Sequence, residues 1–259
     1  MTKQLIFQVY VGKKSALYDH CTNSVAAYCK DHDIDHVILT KPKLMVRPDP
    51  FNTGRSKEAV DRLGYLPIFE KEVAFEYFDD YDQVAIIDSD IWIRPGSPNI
   101  FNELPPEFDF GGVAERDMPI TEQYARKIIN YSQMQYGKLH GKVDFMPNRF
   151  GYEFFNMGMM VMNKGFQKHL KGMSPKDWIT QPQFKDFVDG VGPWKWSTDQ
   201  TLLNYFMKSS RVKVKNMDWK WNGLFTANTN ITQCHFVHFF LKDKLPQKGE
   251  NVEELMKHV

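Results

Sequence analysis

The 259-residue chain lacks any apolar run of the roughly 18 residues that a membrane-spanning helix needs, so a transmembrane segment is excluded. It is poor in cysteine, with three, at Cys21, Cys29 and Cys234. An odd, small count without a framework spacing excludes a disulfide scaffold. It implies reduced thiols and a cytoplasmic or otherwise soluble, reducing setting. Cys21 and Cys29 fall about two turns apart on one expected helix, too far to bridge. Net charge is nearly absent at +1, so bulk electrostatics give no reason to expect nucleic acid. The first ten residues read directly as a strand, and their apolar part is too short and interrupted for a signal peptide. There is no internal repeat, no low-complexity tract and no clear linker. One domain over 1–259 is the economical reading.

What is present is an alternation of strands and helices. Leu5 to Val11 reads as a strand ending at Gly12. Leu17, Cys21, Val25 and Tyr28 then recur at helical spacing, with Ser15 as the expected N-cap. His36 to Thr40 is the second strand, which predicts a parallel pair with a right-handed crossover. Lys41 to Asn52 is a Pro-rich loop. Ser56 to Phe78 is helical in two pieces, broken near Gly64, with Pro67 in the first turn of the second piece. Further strands are expected at Asp109–Ala114, Tyr152–Asn163, Val212–Met217 and Cys234–Leu241. Helices are expected over Ile120–Gly137, from Thr198 to Met207 with Ser197 or Thr198 as cap, and over Gln247–Val259. The class is α/β, with a mixed, mostly parallel central sheet flanked by helices.

The stretch that organises this pattern is Val84-Ala85-Ile86-Ile87-Asp88-Ser89-Asp90-Ile91-Trp92-Ile93. Its apolar run does not alternate, which suits a strand buried on both faces. Two acids spaced i, i+2 then stand at the carboxyl edge, where open α/β sheets place their ligands. Asp88 and Asp90 are therefore expected to hold a divalent metal, and the metal a diphosphate. A solvated turn is the competing reading for Asp-x-Asp alone.

Four pieces together resemble nucleotide-sugar glycosyltransferases of the GT-A fold, in particular glycosyltransferase family eight, the glycogenin and bacterial galactosyltransferase group. They are Tyr81-Asp82 with the apolar run into Asp88-Ser89-Asp90, Phe155-Asn156-Met157-Gly158, Asp199-Gln200-Thr201-Leu202-Leu203-Asn204, and His238-Phe239-Phe240-Leu241-Lys242-Asp243-Lys244. The likeness spans residues 5 to 244. It departs from the family at Met157, where Ser is usual, and at Leu241, where Gly is usual. It implies a GT-A (Rossmann-like) fold in which 1–95 form a nucleotide-binding half and 96–246 a donor-sugar and acceptor half, followed by a C-terminal helix at 247–259.

The resemblance implies a hexose or pentose transfer from a nucleotide sugar, UDP favoured, to a glycan or other hydroxyl acceptor, with retention. The metal set would be Asp88, Asp90 and His238, with His235 as fallback. Two acids and an imidazole favour Mn²⁺, with Mg²⁺ as the other choice. Asp199 would hold the donor sugar and Gln200 would lie near the anomeric carbon. Ser89, Asn156 and Gly158 would line the donor pocket. Gly158 inside a strand also signals a bulge or a close approach of backbone to a ligand. Lys244, or its neighbour Lys242, would reach the diphosphate as a point charge. Tyr10 and Val11 end the first strand where a base would lie; Tyr10 either meets the base or sits in the core. Arg62, or Arg55 or Lys57, either contacts phosphate or base or belongs to a solvated helix face. The tryptophans at 178, 194, 196, 219 and 221 are either core or an acceptor platform. Inversion would instead need a carboxylate base, for which Asp199 or Glu153 serves. Two rival readings stand beside this one. A haloacid-dehalogenase-like phosphatase also places Asp-x-Asp after an apolar strand, but expects Thr or Val where Trp92 stands. A catalytically dead nucleotide-sugar-binding module is the non-enzyme alternative.

Overall fold

The computed structural model describes residues 2–55 and 64–259. Its main sheet has six strands, in the order 35–39, 4–9, 83–87, 155–163, 110–114 and 214–216. β1 (Gln4–Val9) pairs in parallel with β2 (Asp35–Leu39) on one side and β3 (Gln83–Ile87) on the other. β8 (Phe155–Asn163) inserts antiparallel between β3 and β5 (Phe110–Ala114), and β9 (Val214–Asn216) runs parallel to β5. β8 alone runs against the other five, so the sheet is mixed and mostly parallel, as expected.

The non-alternating apolar runs follow from burial on both faces. Successive strand side chains point to opposite faces. Val84 and Ile86 enter one core with Leu5, Phe7, Met160 and Met162, whereas Ala85 and Ile87 enter the other with Ile6, Met159 and Val161. Each face needs an apolar residue, so every position does.

α1 (Ala16–His32) buries Leu17, Cys21, Val25 and Tyr28, the stripe that the spacing predicts. Ser15 precedes it, but its hydroxyl does not cap the helix. Instead Ser15 Oγ donates to Glu250 at 2.8 Å and the Ala16 N–H donates to the same carboxylate at 2.9 Å. The capping acid therefore comes from the far end of the chain. All three cysteines are free and buried.

The second helical piece, Pro67–Asp79, is a 3₁₀ helix with Pro67 in its first turn. The first piece, with Ser56, Lys57 and Arg62, falls outside the described residues. α2 (Glu122–Gln135) and α3 (Asp199–Ser209) lie close to their expected spans. The expected tail helix is shorter. Gln247 and Lys248 take positive φ in the turn Pro246–Gly249, and α4 covers only Val252–Met256.

The organising stretch divides where its acids begin. β3 ends at Ile87, the chain turns through Asp88-Ser89-Asp90, and β4 (Ile91–Ile93) joins a second sheet. That sheet has the order β10-β11-β4, with β10 at Gly223–Leu224 and β11 at Phe236–His238. β11 pairs antiparallel with β4 and sets His238 opposite Ile91. The acids thus sit where two sheets part. A small hairpin, β6 (Pro147–Asn148) and β7 (Gly151–Tyr152), precedes β8. Trp178 and Trp221 are core residues, while Trp196 is 65% exposed. No helix among the described residues is long and apolar enough to cross a membrane.

Candidate active site

Three neighbours hold the Asp88–Asp90 turn. The Asp88 N–H donates to Gly158 O of β8 at 2.8 Å. Ser89 Oγ donates to Val9 O at the end of β1 at 2.6 Å. Asp90 O accepts from the Phe239 N–H, just past β11, at 2.9 Å. The β4–β11 pairing then delivers His238. Its Nε2 lies 3.3 Å from Asp90 Oδ1 and 3.9 Å from Asp88 Oδ2. One ligand atom from each of the three falls within 4.8 Å of the others. Of the two histidines considered, His238 faces the acids. His235 packs at a tilt against Trp221, with ring centroids 4.7 Å apart.

The charges of this group are set by burial and by one another. Burial, first, raises the Asp88 carboxyl. The Lys71 cation pulls it back, Asp90 pushes it up again, and the net shift is upward. Burial acts the same way on Asp90, but the His238 ring and Lys71 outweigh it and hold that carboxyl below its ordinary value. For His238, burial favours the neutral ring, yet the two acids prevail and its pKa is raised. Two carboxylates and one imidazole converging on a point suit a small divalent cation. The donor set therefore fits the metal that the sequence implies.

These residues help line a cavity of about 410 Å³. Val9, Val11, Asn156, Asp199 and Gln200 line the same cavity. Thr198 caps α3 by accepting from the Gln200 N–H at 3.2 Å, which aims the first turn of that helix into the cavity. Gln200 Oε1 accepts from the Met157 N–H at 3.4 Å and ties α3 to β8.

Two expected residues are not among those lining the cavity. The Tyr10 hydroxyl turns to the start of α1, donating to Asp19 and accepting from the Ser15 N–H, both at 2.8 Å. Lys244 is exposed beside Lys127, whose side chain lowers its pKa by hydrogen bonding first and by its charge last. Lys242 is also engaged elsewhere, donating to Glu250 at 2.8 Å and to Ser15 at 2.7 Å. Arg62 lies outside the described residues. Arg55 acts as a staple, its guanidinium donating to the carbonyls of Phe187, Val188 and Ser197. Glu153 pairs with Lys208 at 3.2 Å and with Arg116 at 3.7 Å, outside the cavity lining. Leu241 lines the cavity in a left-handed conformation at φ 58° and is 44% exposed.

Sequence reading missed the cation of the site. Lys71, from the 67–79 helix, sets its Nζ 2.6 Å from Asp88 Oδ1 and 3.0 Å from Asp199 Oδ2. It also donates to Met157 O at 3.0 Å. One signal was available: Glu70-Lys71-Glu72 interrupts the apolar stretch from Leu66 to Phe75. Charged residues are rarely buried unless paired, and all three are largely buried here. Glu70 accepts the N–H groups of Lys43, Leu44 and Met45 and holds the preceding loop. Neither Glu72 oxygen has a hydrogen-bond partner among the described residues. Burial, then the charge of Asp199, push this carboxyl well up.

No family model and no curated protein matches the chain. Solved structures do. A glycosyltransferase involved in the glycosylation of the major capsid of PBCV-1 is 13% identical, with 98% of this chain and 99% of that one covered at a TM-score of 0.50. The galactosyltransferase LgtC, in complex with donor and acceptor sugar analogs, is 16% identical, with 91% and 87% covered at 0.53. Mouse xyloside xylosyltransferase 1 is 14% identical, with 94% and 100% covered at 0.51. Identities this low establish the fold, and it is the GT-A fold expected from the sequence.

Proposed function

We propose that this chain, acting as one unit over 1–259, is a metal-dependent glycosyltransferase. It would move a hexose or pentose from a nucleotide sugar, UDP favoured, to a glycan or other hydroxyl acceptor. The observation that carries the reading is the meeting of Asp88, Asp90 and His238 at the edge of a cavity that also holds Asp199 and Gln200. The fold shared with solved glycosyltransferases supports it.

In this reading Asp88, Asp90 and His238 hold the ion, Mn²⁺ ahead of Mg²⁺ because one donor is an imidazole. A bound divalent cation supplies Lewis-acid neutralisation of the departing diphosphate. The remaining work falls to the chain. Val9 and Val11 border the place for the base. Asp199, oriented by Lys71, accepts from donor-sugar hydroxyls through charge-assisted bonds of about 1.5–3 kcal/mol. Gln200 stands beside the anomeric carbon. The Lys71 cation adds positive potential next to the leaving group, the part that sequence reasoning had given to Lys244. Retention is what the resemblance implies; of the two carboxylates that inversion would need, Glu153 is tied to Lys208 and Arg116 outside the cavity lining, while Asp199 lines the cavity paired with Lys71. The phosphatase reading is not favoured, since the three solved structures named above are glycosyltransferases.

The test is a screen of nucleotide sugars for Mn²⁺-dependent hydrolysis and for thermal stabilisation. UDP should raise the melting temperature far more with Mn²⁺ than with EDTA. Asp90→Asn should remove both effects and leave the fold intact. Equal stabilisation in EDTA would sink the metal bridge, and retained transfer by Asp90→Asn would move the site elsewhere.

A further inference from the structure

Behind His238 lies a chain of buried side chains that the chemistry above does not use. Glu115, Asn156, Asn222 and His238 are each no more than 6% exposed. Their orientations follow one from the next, starting from a backbone group that has no freedom to flip. The Gly158 N–H can only donate, and it donates to Asn156 Oδ1 at 2.9 Å. The Asn156 amide nitrogen must then face Glu115, and it donates to Glu115 Oε1 at 2.6 Å. The opposite flip would set an oxygen against a carboxylate and an NH₂ against an N–H. Glu115 Oε2 accepts from the Tyr124 hydroxyl at 3.2 Å, which anchors the far end.

Asn222 meets that same Asn156 Oδ1 at 2.8 Å, so it must present its Nδ2 there. Its own Oδ1 is thereby turned to His238 Nδ1, at 3.1 Å. An amide oxygen can only accept, so Nδ1 must carry a proton. The ring is also confined from below. A Cβ on Gly158 would overlap the His238 ring and crowd Asn156 Oδ1. The close approach that a glycine inside β8 signals is thus made by this imidazole.

We propose that Glu115, Asn156 and Asn222 form a hydrogen-bond relay that fixes the His238 proton on Nδ1, so that the Nε2 lone pair faces Asp88 and Asp90. Asn222 is the positioning residue, acting through His238. The inference rests on the metal reading above. It assigns Asn156 and Gly158 a duty toward the cation rather than the sugar alone. A ligating imidazole needs its other nitrogen held by an acceptor, and loss of such a partner commonly weakens metal binding by about 10–100-fold.

The experiment is a double-mutant cycle on Mn²⁺ affinity of the full chain without nucleotide, read from the free-ion EPR signal. Asn222→Leu should weaken binding by about 10–100-fold. In a His238→Ala background, Asn222→Leu should change nothing further. An equal loss in that background, or none in the wild type, overturns the relay. Wild-type protein that ignores Mn²⁺, or His238→Ala that binds it normally, overturns the metal reading instead. A second arm stands independently of metal: ¹⁵N spectra of the metal-free protein with a neutral ring should show the proton on Nδ1, moving to Nε2 in Asn222→Leu. A wild-type proton on Nε2 overturns the relay.

Discussion

Lys71→Met removes the cation that Asp88 and Asp199 share while nearly conserving side-chain length. The three side chains are 13%, 25% and 5% exposed, so water screens them poorly. At 2.6 and 3.0 Å, each pair gains about 5–6 kcal/mol at an effective dielectric near 20. Desolvation of several kcal/mol per ion cancels much of this. Removing one partner is a different matter, because the carboxylates stay buried without it; such losses run to about 3–5 kcal/mol. At roughly 2–4 °C per kcal/mol for a chain of this size, the melting temperature in EDTA should fall by about 6–20 °C. Mn²⁺ should recover more stability in the variant than in the wild type, since the ion then faces acids that no lysine neutralises. Urea midpoints with and without Mn²⁺ measure both effects. A loss below about 1 kcal/mol in EDTA, or the same Mn²⁺ gain in both proteins, would refute the claim that Lys71 balances these acids.

Gly158→Ala forces a Cβ into the His238 ring and crowds Asn156. It should cost about 1–3 kcal/mol by denaturant melt and weaken Mn²⁺ binding; an unchanged variant would mean that the ring yields freely. Leu241 holds φ 58°, which costs a non-glycine residue about 1–2 kcal/mol. Leu241→Gly should therefore hold or raise stability, by up to about 1 kcal/mol after the entropy of the unfolded glycine; a clear drop would show that the leucine packs. Burial alone would raise the Asp109 carboxyl, but hydrogen bonds from Lys168 at 2.8 Å and His169 at 3.0 Å outweigh it and hold it low. Its folded pKa lies below the unfolded one, so its contribution is complete above about pH 4 and fades as pH falls through the lower folded value. Asp109→Asn should be less stable at neutral pH, with the difference shrinking in acid; parallel urea midpoints down to pH 3 would contradict this.

What the sequence by itself determined is what depends on near neighbours along the chain. Helical spacing from Leu17 to Tyr28, the Thr198 cap and the apolar run before Asp88 each carry their structural meaning in a few consecutive residues, because period and capping are local. The order of these pieces was enough to expect the GT-A fold. It also named Asp88, Asp90, His238, Asp199 and Gln200, which the fold does bring to one cavity.

Only the tertiary structure decided the rest. Pairing of β4 with β11 turns His238, rather than His235, toward the acids. The path of the 67–79 helix supplies Lys71, while Lys244 stays beside Lys127. Tyr10 and Arg55 are drawn to nearby hydrogen-bond partners instead of the cavity. Asn222 has no motif around it, and its role exists only because Asn156 and His238 flank it in space. A long side chain reaches the strongest partner within several ångströms. Sheet register and helix placement, set by burial across the whole core, decide which partner that is.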